Sequence, residues 1–239
     1  MAIRAVLWDI DDTIFDYATA DRAGMRRHLR DEGLDGRFGT VEEALARWQE
    51  ATAEHWARFS AGEVSWEAQR RDRVRTFLGL VLADEEADAW FARYLAHYEA
   101  AWELFPDTLP ALELLAGDYR HGVLSNSSLL NQDRKLRVLG VRDRFEAVVC
   151  AADIGISKPE PAAFHAACDA LGLAPYEVAY VGDQPDIDAR GATEAGLLGI
   201  WLDRTGAGGR PELQRITGLE QLPALLRGDT RFGAQDTFG

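Results

Sequence analysis

Four apolar residues, Ala5-Val6-Leu7-Trp8, run directly into Asp9-Ile10-Asp11-Asp12-Thr13. This junction limits the fold more than anything else in the chain. An unbroken apolar run of this length suits a strand covered on both faces, as in a parallel sheet. Three carboxylates crowded at the mouth of such a strand repel one another and resist losing water. The residues leave two readings open. Asp11 or Asp12 caps a helix or turn, or the cluster holds a hard divalent cation such as Mg²⁺.

The next roughly ninety residues carry helical periodicity. One helix is expected from Thr19 to Glu32, stopped by Gly33. Thr40-Val41-Glu42-Glu43 makes a capping box for a second, which ends near Gly62. Ser65 caps a third that ends around Gly79, and Asp84 caps a fourth. Trp48, Trp56, Trp66, Trp90 and Trp102, five of the seven tryptophans, fall in this block. Their spacing suits the core of a small helical bundle, and the alternative is an aromatic lid over a substrate. From Phe105 strands and helices alternate. Helices are expected from Asp107 or Thr108 through Leu115, through Leu129–Leu139, over Pro161–Leu171, over Pro185–Ala195, and over Leu219–Leu226. The strands are Gly122–Asn126, Ala147–Cys150, Val178–Asp183 and Leu198–Leu202. This alternation predicts a parallel sheet with right-handed crossovers, with the helical block inserted after its first strand. Arg227–Gly239 is polar and reads as a loose tail.

At 239 residues the chain suits one large domain or a core with an inserted subdomain. Its formal net charge of −14 argues against a nucleic-acid or anionic-membrane partner. It leaves room for a small anionic substrate, because a metal and a few local cations can dominate one pocket. No apolar run is long enough for a membrane span, and the first residues do not read as a signal peptide. Two cysteines, Cys150 and Cys168, make neither a disulfide framework nor a zinc site, which points to a reduced, cytoplasmic setting. His28, His55, His97, His121 and His165 are scattered without ligand spacing.

Ligands of open parallel sheets gather beyond the carboxyl ends of the strands. The expected strands deliver Asp9 and Asp11, then Ser125 and Asn126, then Ser157-Lys158-Pro159, then Asp183 with Asp186 and Asp188. Singly each is an ordinary turn residue or helix cap. Together they place carboxylates, a hydroxyl and a lysine at one edge.

These residues resemble the four motifs of the haloacid dehalogenase-like hydrolase superfamily. Asp9-Ile10-Asp11-Asp12-Thr13 matches the first, Ser125 the second, and Lys158-Pro159 the third. The fourth is matched by Gly182-Asp183, Asp188, Gly191-Ala192 and Ala195-Gly196. Asp12 stands where glycine is frequent, and Ile187 where asparagine often precedes the second acid. The resemblance implies a Rossmann-like core over 1–15 and 104–239 and an alpha-helical cap over 16–103. It implies that Asp9 is the nucleophile, forming an aspartyl-phosphate, and that Asp11 is the general acid and base. It implies Mg²⁺ held by the Asp9 carboxylate, the Asp11 carbonyl and Asp183, with Asp188 as a further or indirect ligand. Ser125, Asn126 and Lys158 would bind the phosphoryl group, and Lys158 would also balance the charge on Asp9. Asp16 and Tyr17, at the entry to the cap, are either substrate contacts or hinge packing.

The activity so implied is hydrolysis of a small phosphorylated metabolite. A sugar phosphomutase keeps both acids and is the nearest alternative, and a haloacid dehalogenase lacks an acid at the position of Asp11. A phosphonate hydrolase needs a cap lysine, and Thr19–Ala101 contains none. A phospho-accepting signalling module or a silent binding protein is the reading from outside enzymology.

Overall fold

The computed structural model describes residues 2–228. The expected loose tail beyond that point, residues 229–239, lies outside them. In chain order the elements are β1 (Ala5–Trp8), α1 (Tyr17–Asp31), α2 (Val41–Ser60), α3 (Trp66–Leu78), α4 (Asp84–Glu99), α5 (Thr108–Leu115), β2 (Arg120–Ser125) and α6 (Leu129–Val138). Then come β3 (Ala147–Cys150), α7 (Ala151–Ile154), α8 (Pro161–Ala170), β4 (Val178–Gly182), a π-helix (Pro185–Arg190), α9 (Gly191–Glu194), β5 (Leu198–Leu202), β6 (Gln214–Ile216) and α10 (Leu222–Leu226). They form two compact units, Met1–Asp16 with Leu104–Gly239, and Tyr17–Glu103.

The first unit is a six-stranded sheet in the order β3-β2-β1-β4-β5-β6, parallel throughout. Every residue of β1 is fully buried, as its apolar run requires of a central strand. The chain builds outward from β1 through β2 to β3, then returns to its other side for β4, β5 and β6. The reversal falls between β1 and β4, which is where a doubly wound sheet opens a crevice at its carboxyl edge. The core on one face packs Phe164, Ala167 and Leu171 of α8 and its C-terminal end against Leu7, Leu124 and Tyr180.

Two expectations are corrected here. The sheet has a sixth strand, because Gln-Arg-Ile at 214–216 is too short and too polar to show alternation. Pro185–Ala195 is not one α-helix; it opens as a π-helix and becomes α-helical only from Gly191. The helix expected from Asp107 or Thr108 starts at Thr108; Asp107 before it accepts two bonds from Arg204, each 3.0 Å, and one from the Leu219 amide at 2.9 Å.

The second unit is a four-helix bundle. Thr40 caps α2 in the expected box with Glu43, and Ser65 caps α3. Asp84 is already helical; Ala83 precedes it, and Glu86 accepts from the Ala83 amide at 2.8 Å. The bundle core is aromatic: Trp48, Phe77, Trp90 and Tyr94 are buried, with the Trp48 and Tyr94 ring centroids 4.8 Å apart. Buried Asp21 accepts the Trp48 indole N–H at 3.0 Å and the Tyr94 hydroxyl at 2.5 Å. No helix of the described residues is long and apolar enough to cross a membrane.

Candidate active site

Asp9 follows β1 directly, and its amide donates to Val181 O of β4 at 2.9 Å, so its place is set by the sheet itself. The residue is 6% exposed. Asp183 follows β4 in the same way. Asp188 returns to the same spot from the π-helix, fully buried. One carboxylate oxygen from each of Asp9, Asp183 and Asp188 lies within 4.8 Å of the others.

Gly182 makes this approach possible. A Cβ there would sit 2.3 Å from Asp188 Cγ and 2.6 Å from its Cβ. The glycine of the fourth motif is thus a clearance for the second acid. Asp188 Oδ2 also accepts from the Gln184 amide at 2.9 Å, which pins the turn.

Lys158 supplies the positive charge. Its ammonium spends all three donors, each at 2.7 Å, on Asp9 Oδ1, Asp188 Oδ1 and the Tyr180 hydroxyl. Burial alone would push the ammonium pKa down, but the carboxylates of Asp188 and Asp9 outweigh it and hold it above the usual lysine value. Asp9 and Asp183 are also raised, which for an acid favours the neutral form. Burial is the largest cause for both, and it raises their pKa values. Lys158 offsets part of this for Asp9, while repulsion from Asp188 and Asp11 adds to it. Repulsion from Asp9, Asp188 and Asp12 adds to it for Asp183. Asp183 Oδ1 is buried without a hydrogen-bond partner.

Asn126 and Ser125 come from the end of β2. Asn126 accepts the Lys158 amide at 2.8 Å and donates to the Lys158 carbonyl at 2.9 Å. Its side chain therefore clamps the backbone that carries the lysine, rather than opening toward a ligand as the sequence reading had it. Ser125 is 2% exposed and its Oγ accepts from Gln132 at 3.0 Å. Asp11 stands apart from the three clustered acids. Its carboxylate turns to α6, where Lys135 Nζ donates to Oδ1 and Gln132 Nε2 donates to Oδ2 at 2.8 Å. Asp12 has φ 59°, the one positive φ outside glycine among the described residues. That left-handed turn explains why glycine suits this position.

Sequence reasoning missed Gln132, Lys135 and Tyr180. The first two share a helix face with Leu136 and Leu139 at spacings of three, four and seven, so they sit on the apolar stripe. Polar residues on such a stripe are a usable signal. Composition held a second one: the chain has 26 basic residues, of which only Lys135 and Lys158 are lysines. Both are buried, and both are paired with acids of the Asp9–Asp11 turn.

A parallel sheet with its strand-end acids and one buried lysine at the switch point defines a hydrolase core of the haloacid dehalogenase type. The chain belongs to the haloacid dehalogenase-like hydrolases, whose family model matches residues 3–196. Phosphoserine phosphatase of Thermus thermophilus is 32% identical to it, over 96% of this chain and 97% of that protein. Glyceraldehyde 3-phosphate phosphatase of Methanopyrus kandleri is 29% identical, over 84% of each. A magnesium-bound HAD hydrolase from Bacillus subtilis shares the fold, with a TM-score of 0.79 at 21% identity over 95% of this chain and 99% of that one. The protein is accordingly an enzyme of the hydrolase class.

Proposed function

We propose that the chain is a Mg²⁺-dependent phosphomonoesterase that works through an aspartyl-phosphate on Asp9 and acts on a small phosphorylated metabolite in the cytoplasm. The observation that carries this reading is the cluster of buried Asp9 and Asp188 with half-buried Asp183, Lys158 pairing with the first two, and an orphaned oxygen on Asp183. The donors are all hard oxygens, the chemistry that Mg²⁺ selects. Asp9 and Asp183 would hold the ion with their carboxylates and Asp11 with its main-chain carbonyl. Asp188, already engaged by Lys158, Tyr180 and Gln184, fits an indirect part. When bound, the ion offsets the charge of the carboxylates and of the incoming phosphate.

The steps that belong to the chain's own residues follow. A carboxylate oxygen of Asp9 attacks phosphorus and the ester P–O bond breaks. Asp11 gives a proton to the departing alkoxide. It then takes one from the water that attacks phosphorus and frees Asp9 and inorganic phosphate. Lys158 keeps Asp9 charged and oriented and lends its positive charge to the phosphoryl group, whose oxygens the Ser125 hydroxyl holds. A halide leaves without a proton, so Asp11 favours phosphate esters over a dehalogenase reaction. Two relatives are named for small phosphorylated substrates. Both cysteines are free and buried, which suits a reducing compartment.

Purified protein should release phosphate from members of a panel that includes phosphoserine and glyceraldehyde 3-phosphate, only with Mg²⁺ present. Acid quenching should trap phosphate on Asp9. Asp183→Asn should weaken Mg²⁺ binding, read by calorimetry, at least about tenfold. It should leave the metal-free protein as stable or more so, since one of three repelling acids is gone. Full turnover after exhaustive chelation would rule the reading out.

A further inference from the structure

Asp11 is held at both oxygens from one face of α6. Lys135, 6% exposed, donates to Oδ1. Gln132, three residues earlier, donates to Oδ2 at 2.8 Å and reaches Ser125 Oγ at 3.0 Å. The Lys135 ammonium lies 4.3 Å from the centroid of the Phe15 ring, at the far end of the same turn. The residue type is itself informative. Arginine serves at the 24 other basic positions of the chain, and lysine appears only here and at Lys158. A compact ammonium fits where a planar guanidinium needs more room and a two-pronged partner.

We propose that Lys135, with Gln132, is a positioning residue for the general acid: it fixes the Asp11 carboxylate for proton transfer at the leaving oxygen. This rests on the phosphomonoesterase reading above. Without Lys135 the Asp11 carboxylate turns about its own bonds. Proton transfer then suffers, while the attack by Asp9 does not. The loss therefore depends on how much the leaving group needs a proton.

The test compares phosphoryl transfer to Asp9 from propyl phosphate, a poor leaving group, with transfer from 4-nitrophenyl phosphate, a good one, by rapid quench. Lys135→Met should slow transfer from propyl phosphate about 10- to 100-fold, the scale of a misplaced catalytic group. Transfer from nitrophenyl phosphate should change less than about threefold, and KM should hold for both. Lys135→Arg should not restore the rate. In an Asp11→Asn background, Lys135→Met should cost nothing further. Should the Met variant fail to fold, Gln132→Met removes the second hold; because it also releases Ser125, both substrates should slow, propyl phosphate at least about tenfold more than nitrophenyl phosphate. Equal losses with both substrates, a raised KM with unchanged kcat, or additive losses with Asp11→Asn would each overturn the proposal. If Asp11→Asn shows the leaving-group dependence and Lys135→Met does not, the positioning role alone falls. If Asp11→Asn shows none, the acid–base mechanism falls and the positioning role with it.

Discussion

Asp188 reaches Lys158 because residue 182 has no side chain. The prediction at this scale is Gly182→Ala. The new Cβ would meet Asp188 at Cβ as well as Cγ, so rotating the carboxylate cannot relieve it. The π-helix must shift, at about 1–3 kcal/mol, and Lys158 loses one of its three acceptors. Chemical denaturation should show the loss in stability, and turnover should fall with it; an unchanged denaturation midpoint would mean that the turn yields freely. Asp9, Ser125 and Asp183 were legible in the sequence because each stands at the end of an apolar strand, where polarity is conspicuous; Lys158 and Asp188 were legible only through the motifs that they complete. Tyr180 was not, because its ring belongs to the core and only its hydroxyl belongs to the site. Asn126 was legible as a strand-end residue. Its partner was not, since a clamp on the backbone 32 residues away leaves no local pattern.

Elements were legible where their punctuation is chemical. The Thr40–Glu43 box and the glycines at 33, 62 and 79 mark the bundle helices, and all three glycines have positive φ. The π-helix was not legible, because its extra residue per turn is set by where Asp188 must point and not by a residue preference. Inside the bundle, α1 and α4 approach at Gly24. A Cβ there would lie 2.6 Å from Tyr98 Cα and 2.7 Å from Tyr98 N. These are backbone atoms, so no rotamer change makes space. Gly24→Ala should push the two helices apart and destabilise the bundle by about 1–3 kcal/mol, despite alanine's better helix propensity. Hydrogen exchange should locate the loss in α1 and α4. If protection in these helices rises instead, propensity outweighs the close contact.

For the molecule as a whole, acid stability is governed by buried histidines as well as by the acids. His28 is fully buried with neither ring nitrogen bonded, edge-on to Trp90 at 4.3 Å. Burial, as the largest cause, lowers its pKa to about 4. His121 is lowered to about 4 for the same main reason. In each the folded form binds fewer protons than the unfolded form between about pH 6.5 and 4. Their contribution to stability is therefore complete above pH 6.5 and is lost as pH falls toward 4. The raised pKa values of Asp9 and Asp183 act in the opposite direction, so the clean measurement is a difference. His28→Phe keeps a ring against Trp90 and removes two unbonded nitrogens, and should stabilise by about 1 kcal/mol at pH 7. Its advantage over the unaltered protein should widen as pH drops to 4.5; a constant gap would show that His28 does not titrate there. The scarcity of lysine has a consequence at this scale too. A protease specific for lysine finds one susceptible bond in the entire chain, Lys135–Leu136, since Lys158 precedes a proline. That bond lies within α6, with both residues buried. Under conditions where opening is fast, its cleavage rate reads the free energy of opening α6. A single cut into residues 1–135 and 136–239 would thus report how tightly the proposed general acid is held, without any substrate.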